Sequence, residues 1–135
     1  MTAQAEIHIP VNSDTDIVTA RQQGRSLARV AGFYGSDLTV ISTAISEVAR
    51  NIVEHASSGE IVLSIVVDGA KEGIRVVAQD HGPGIPDIAL AMQDGYSTGK
   101  GLGLGLPGSR RLMDEFEISS ESGLGTTVIM KKWRK

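Results

Sequence analysis

The chain has 135 residues, 41% of them hydrophobic and 21% charged, with a net charge of -3. That is the profile of one globular domain with room for a single core. It carries no cysteine, so disulfide and thiolate chemistry are excluded, and it has no basic surplus that would call for nucleic acid.

The start, MTAQAEIHIPV, lacks a basic segment followed by a long apolar run, so it does not read as a secretory signal. No apolar stretch approaches the roughly 20 residues of a membrane span. The expectation is a single cytoplasmic domain over residues 1–135. Lys131, Lys132, Arg134 and Lys135 form a small positive tail that reads as a solvated chain end.

In chain order, Ile7 and Ile9 alternate with polar neighbours and predict a short strand between Glu6 and Val11. Ser13 and Asp14 open a helix carrying Ile17, Ala20, Gly24, Leu27 and Ala31 at helical spacing, and Gly32 stops it. A second helix starts near Ser36 and Asp37, with Leu38, Ile41, Ile45, Val48 and Ile52 on one stripe. The runs Ile61 to Val67 and Ile74 to Asp80 are short and β-branched, and the turn formers DGAKEG between them predict a β-hairpin.

Glycine and proline then crowd into Asp80 to Gly108. Leu106 to Glu115 reads as a helix, with Pro107 in its first turn where proline is tolerated. FEISSES and TTVIMKKW, joined by Gly123–Leu124–Gly125, predict a closing hairpin. Strands arriving as hairpins around a few helices give an α+β two-layer sandwich, a mixed and mostly antiparallel sheet with helices on one face.

The glycine-rich stretch is not a dinucleotide fingerprint, because the strand and the ribose-binding acid that such a fingerprint needs are misplaced. The G-x-x-x-x-G-K-[ST] loop is missing from the sequence. His8, His55 and His81 sit on separate elements without metal-ligand spacing. More telling is a polar ridge on the second helix, where Glu47, Asn51 and His55 fall at i, i+4 and i+8. Such a ridge could be plain helix surface. Three further pieces follow it in order: Asp80-x-Gly82-x-Gly84 at a strand end, Gly101–Leu102–Gly103–Leu104–Gly105 before a helix, and Gly125–Thr126 opening a strand.

These four pieces, in this order, resemble the boxes of the ATPase/kinase superfamily (GHKL type, Bergerat fold) that includes histidine kinases, DNA gyrase and Hsp90. AISEVARNI, DHGPGIPDI, DGYST, GLPGSRRLMDEF and the IMKKW ending are similar to its RsbT-type members, small bacterial serine/threonine kinases of stress signalling. The likeness runs over nearly the whole chain. It implies a histidine-kinase-like ATPase fold with ATP and Mg2+ as cofactors.

The resemblance assigns each piece a role that chemistry can rationalise. Asp80 would accept a hydrogen bond from the exocyclic amine of adenine and repel the carbonyl of guanine, with Thr126 supporting the carboxylate, commonly through water. Gly82 and Gly84 would let backbone approach the purine. Gly101, Leu102, Gly103, Leu104 and Gly105 would turn N–H groups toward the phosphates ahead of a helix N-terminus, with Lys100 the nearest cation to the γ-phosphate. Asn51 would be a hard ligand for Mg2+. Glu47 would be the base that takes the hydroxyl proton, and His55 reads as structural.

Three functions compete on this basis. One is a serine/threonine kinase acting on STAS-domain antagonist and scaffold proteins, then released to activate a serine/threonine phosphatase. The second is a partner-switch protein whose nucleotide binding is incidental and whose output is contact with a phosphatase or sigma factor; an anti-sigma-factor kinase of the same superfamily is the runner-up. The third is an ATPase motor, which the length disfavours because a transducer domain does not fit in 135 residues. The kinase is the expected function, with no nucleic-acid or membrane partner.

Overall fold

The computed structural model describes residues 6–82, 105–121 and 123–134. In order the elements are β1 (Ile7–Val11), α1 (Asp14–Val30), α2 (Ser36–His55), β2 (Gly59–Asp68), β3 (Lys71–Asp80), α3 (Gly105–Leu112), β4 (Glu115–Glu121) and β5 (Gly125–Trp133). No helix among the described residues is long and apolar enough to cross a membrane.

Helix α1 begins where the sequence places it. Ser13 is extended at the N-cap, and Asp14 and Asp16 bring negative charge to the positive end of the helix dipole. The Asp16 carboxylate also accepts the backbone N–H of Asn12 at 2.8 Å. At the other end Phe33 N–H reaches the Ala28 carbonyl and Gly32 N–H reaches that of Arg29, both at 3.0 Å. This crossed pair satisfies carbonyls that the helix itself leaves open.

The five strands lie in the order β1-β2-β3-β5-β4. Every pairing among them is antiparallel. Period-2 alternation decides which side is buried: Ile61, Leu63, Ile74, Val76, Val128 and Met130 point one way and are buried. Against them packs the predicted stripe of α2, with Ile41, Ile45, Val48 and Ile52 all at 1% exposure or less. Removing one such side chain should cost about 2–5 kcal/mol.

Three boundaries differ from expectation. In the β2–β3 hairpin Asp68 pairs with Lys71, so only Gly69 and Ala70 form the turn and DGAKEG is mostly strand. Helix α3 ends at Leu112 rather than Glu115, because Asp114 N–H is drawn into a bond with the Lys131 carbonyl at 3.0 Å and Glu115 pairs with Lys131 in the sheet. The basic ending is not a loose tail either. Lys131 and Lys132 belong to β5, Lys132 Nζ donates to the Leu112 carbonyl at 3.3 Å, and Arg134 pairs with Glu72 at 2.9 Å.

A candidate nucleotide site at the end of the central strands

Strand β3 is central, and its last residue is Asp80, only 6% exposed. A carboxylate buried this far needs donors. Two backbone N–H groups supply them, both to Oδ1: Gly82 at 2.9 Å and Thr126 at 3.2 Å. Among the described residues Oδ2 accepts no hydrogen bond. One oxygen is thus fixed by the fold, and the other is left to meet a donor from outside.

Close approach of backbone makes this possible. A Cβ on Gly125, whose φ is +101°, would run into the Asp80 carbonyl oxygen. A Cβ on Gly82 would lie 2.6 Å from that of Ala56, and one on Gly59 would lie 2.5 Å from the Gln79 carbonyl oxygen and 2.9 Å from Ile52 Cγ2. Glycine at these positions therefore lets β2, β5 and the last turn of α2 close around Asp80. Gly59 stands directly opposite Asp80 in the β2–β3 register. It carried no signal in the sequence, since its place depends on which strands pair.

Thr126 is buried beside Asp80 but meets the carboxylate through its backbone N–H. Its hydroxyl lies 3.0 Å from Ser120 Oγ, which in turn donates to the Gly125 carbonyl at 3.2 Å. Ser120 is thus a supporting residue that sequence reading did not single out.

The ridge on α2 lies beside this pocket, because Ile52 and Ala56 pack against Gly59 and Gly82. Glu47 has a side chain only 13% exposed and forms an ion pair with Arg50, Oε1 to Nη1 at 2.8 Å. Asn51 is half-buried, and its side-chain amide has no hydrogen bond among the described residues. Helix α3 is locked alongside by Ser109, fully buried, whose hydroxyl donates to the Ala44 carbonyl at 3.3 Å. The middle of α3 therefore sits next to α2, one turn before Glu47.

Gly84, Lys100, Gly101, Leu102, Gly103 and Leu104 lie outside the described residues, and Gly105 is the first residue of α3. Among the described residues no three His, Cys, Asp or Glu side chains cluster as a metal cage. A lone amide oxygen on Asn51 instead suits Mg2+, which takes one or two protein oxygens and completes its shell from phosphates and water. The free carboxylate oxygen at Asp80 likewise suits the amino group of adenine.

Comparison with known proteins identifies the family and the fold. The signature of the Histidine kinase-like ATPase domain family matches residues 11–132, and the chain belongs to that family. Within it the sequence is of the RsbT type, and its class is that of the ATP-using protein serine/threonine kinases. It is 50% identical over 125 residues to the serine/threonine-protein kinase RsbT of Bacillus subtilis, covering 93% of this chain and 94% of that one. It is also 33% identical to the anti-sigma F factor of Geobacillus stearothermophilus, over 84% of this chain and 87% of the other. Among solved structures, the RsbU and RsbW domains of a Mycobacterium tuberculosis protein superpose with a TM-score of 0.61 at 25% identity, covering 96% of this chain and 32% of that one. The mycobacterial sensor histidine kinase MprB shares the fold, with a TM-score of 0.56 at 14% identity and 97% of each chain covered.

Proposed function

We propose that this protein transfers the γ-phosphoryl group of Mg-ATP to a serine or threonine of STAS-domain antagonist and scaffold proteins in a bacterial stress-signalling complex. Once released, it activates a partner serine/threonine phosphatase. It acts as a single cytoplasmic kinase domain. The observation that carries this reading is the 50% identity to an RsbT kinase over nearly the full length of both chains. The arrangement around Asp80 supports the choice of ATP.

In this reading Oδ2 of Asp80 accepts the 6-amino group of adenine while Oδ1 stays bound to backbone. Gly84 would let the chain lie near the purine and the Gly101–Gly105 run would cradle the phosphates, with Lys100 the nearest cation in the sequence. Asn51 would hold Mg2+, which would supply charge neutralisation on the transferring group. The acceptor hydroxyl oxygen forms a bond to the γ-phosphorus as the bond to the ADP oxygen breaks. The hydroxyl proton passes to Glu47. Positioning and charge neutralisation carry most of the barrier lowering, and the base adds to it.

Incubation with labelled ATP and a STAS-domain antagonist tests this directly. Acid-stable label on the antagonist is the expected result. Fast release of free phosphate with no label on any candidate acceptor would sink the kinase assignment. The 33% identity to anti-sigma F factors favours a second reading, an anti-sigma-factor kinase. That reading predicts nucleotide-dependent capture of a sigma factor, which a pull-down with ATP or ADP would reveal.

A further inference from the structure

We propose that Arg50 is a positioning residue for the phosphoryl-transfer base: its guanidinium clamps one oxygen of Glu47 and leaves the other turned to the reacting hydroxyl. This rests on reading Glu47 as the base. Arg50 Nη1 lies 2.8 Å from Glu47 Oε1, and Oε2 accepts no hydrogen bond among the described residues.

Helical geometry gives the clamp a direction. At about 100° per residue, Arg50 projects about 60° to one side of Glu47, while Asn51 projects about 40° to the other. Ala44, three residues before Glu47, falls on the Asn51 flank, and its carbonyl holds Ser109 of α3. The guanidinium therefore reaches the carboxylate from outside the site. The metal-ligand candidate and Ser109 of α3 stand on the other side.

Two consequences follow for chemistry. Glu47 would otherwise sample several rotamers, and a base that wanders loses effective concentration at the hydroxyl. The anionic triphosphate would also repel a bare carboxylate, and the Arg50 charge offsets that repulsion. Stability is not the reason for the pair. The Arg50 side chain is 40% exposed, and ion pairs this open contribute little to folding.

A double-mutant cycle on the full chain tests the proposal, with single-turnover transfer to a STAS-domain acceptor and Mg-ATP affinity by calorimetry as readouts. Glu47→Gln should slow transfer about 10²-fold. Arg50→Ala should slow it about tenfold with Mg-ATP affinity within about twofold of the parent, and Arg50→Lys should restore most of the rate. In the Glu47→Gln background Arg50→Ala should add nothing, because Arg50 acts through the carboxylate. An equal tenfold loss in that background would overturn the proposal, as would a loss of Mg-ATP affinity or full activity in Arg50→Ala. Full activity in Glu47→Gln would overturn the base assignment itself, and the clamp with it. The same cycle read by free-phosphate release from ATP alone, with water in place of the hydroxyl, keeps the test independent of the acceptor.

Discussion

The two halves of the candidate site are built in different ways. At the sheet end, Asp80 is held by backbone: two N–H groups on one oxygen, with glycines on three sides that admit no Cβ without displacement. On α2, Glu47 and Asn51 are held by side-chain choices along one helix, with one half-open ion pair as their fixed contact among the described residues. The half around Asp80 has its geometry set by strand register. The half on α2 is set by side chains that the fold does not depend on. Substitutions at the glycines should therefore fail as folding defects, and those on α2 as rate or metal defects.

The largest effect is expected where backbone and pocket are the same thing. Gly125→Val places a β-branched side chain at φ +101° against the Asp80 carbonyl and should cost about 3 kcal/mol or more. An unchanged urea midpoint would show that the strands have room to spare there. Asp80→Asn sharpens the contrast, since its carbonyl oxygen can still accept both N–H groups. Stability should shift by less than about 1 kcal/mol, while ATP binding loses a charge-assisted bond, about 1.5–3 kcal/mol by calorimetry. A large drop in melting temperature with ATP affinity intact would reverse the roles given to the two oxygens.

On the helix, Asn51→Ala should leave the fold untouched and weaken binding of Mg-ATP about tenfold, with binding of metal-free ATP nearly unaltered. Equal losses with and without Mg2+ would point to a contact with nucleotide rather than metal. The smallest effect belongs to His8 on the outer face of β1, between Glu60 at 3.3 Å and Glu6 at 3.2 Å. Hydrogen bonds from Glu60 first and Glu6 second raise its pKa above the usual 6.5. The protonated form is thus favoured in the folded state. Its contribution is full below the unfolded value and fades as pH rises through the folded one. An NMR titration should show the raised value, and Glu60→Gln should lower it.

Much of this was legible before any coordinates. The α2 stripe, the two hairpins and Asp80 at a strand end follow from periodicity and β-branched runs, because these signals are local. Gly59 was not legible, because its meaning comes from standing opposite Asp80 across the sheet. Nor was the route from Thr126 to Asp80 through its N–H, since sequence shows a hydroxyl and not which group the register aims. Arg50 could have been found: it sits at i+3 from Glu47, a spacing that brings opposite charges together on a helix. The end of α3 was missed because Asp114 and Glu115 suit a helix locally, and pairing with β5 outweighed that preference.

The bond from Thr126 N–H to Asp80 joins residues 46 positions apart. Strand β5 also slots between β3 and β4, so the floor beside Asp80 is laid by a strand far downstream of it in the chain. A chain that has lost its closing hairpin keeps the Gly82 N–H on Oδ1 of Asp80 and loses that of Thr126. If ATP meets Asp80 as proposed, it would bind the chain with this closure made in preference to one without it, and by mass action would act as a folding ligand for the closing hairpin.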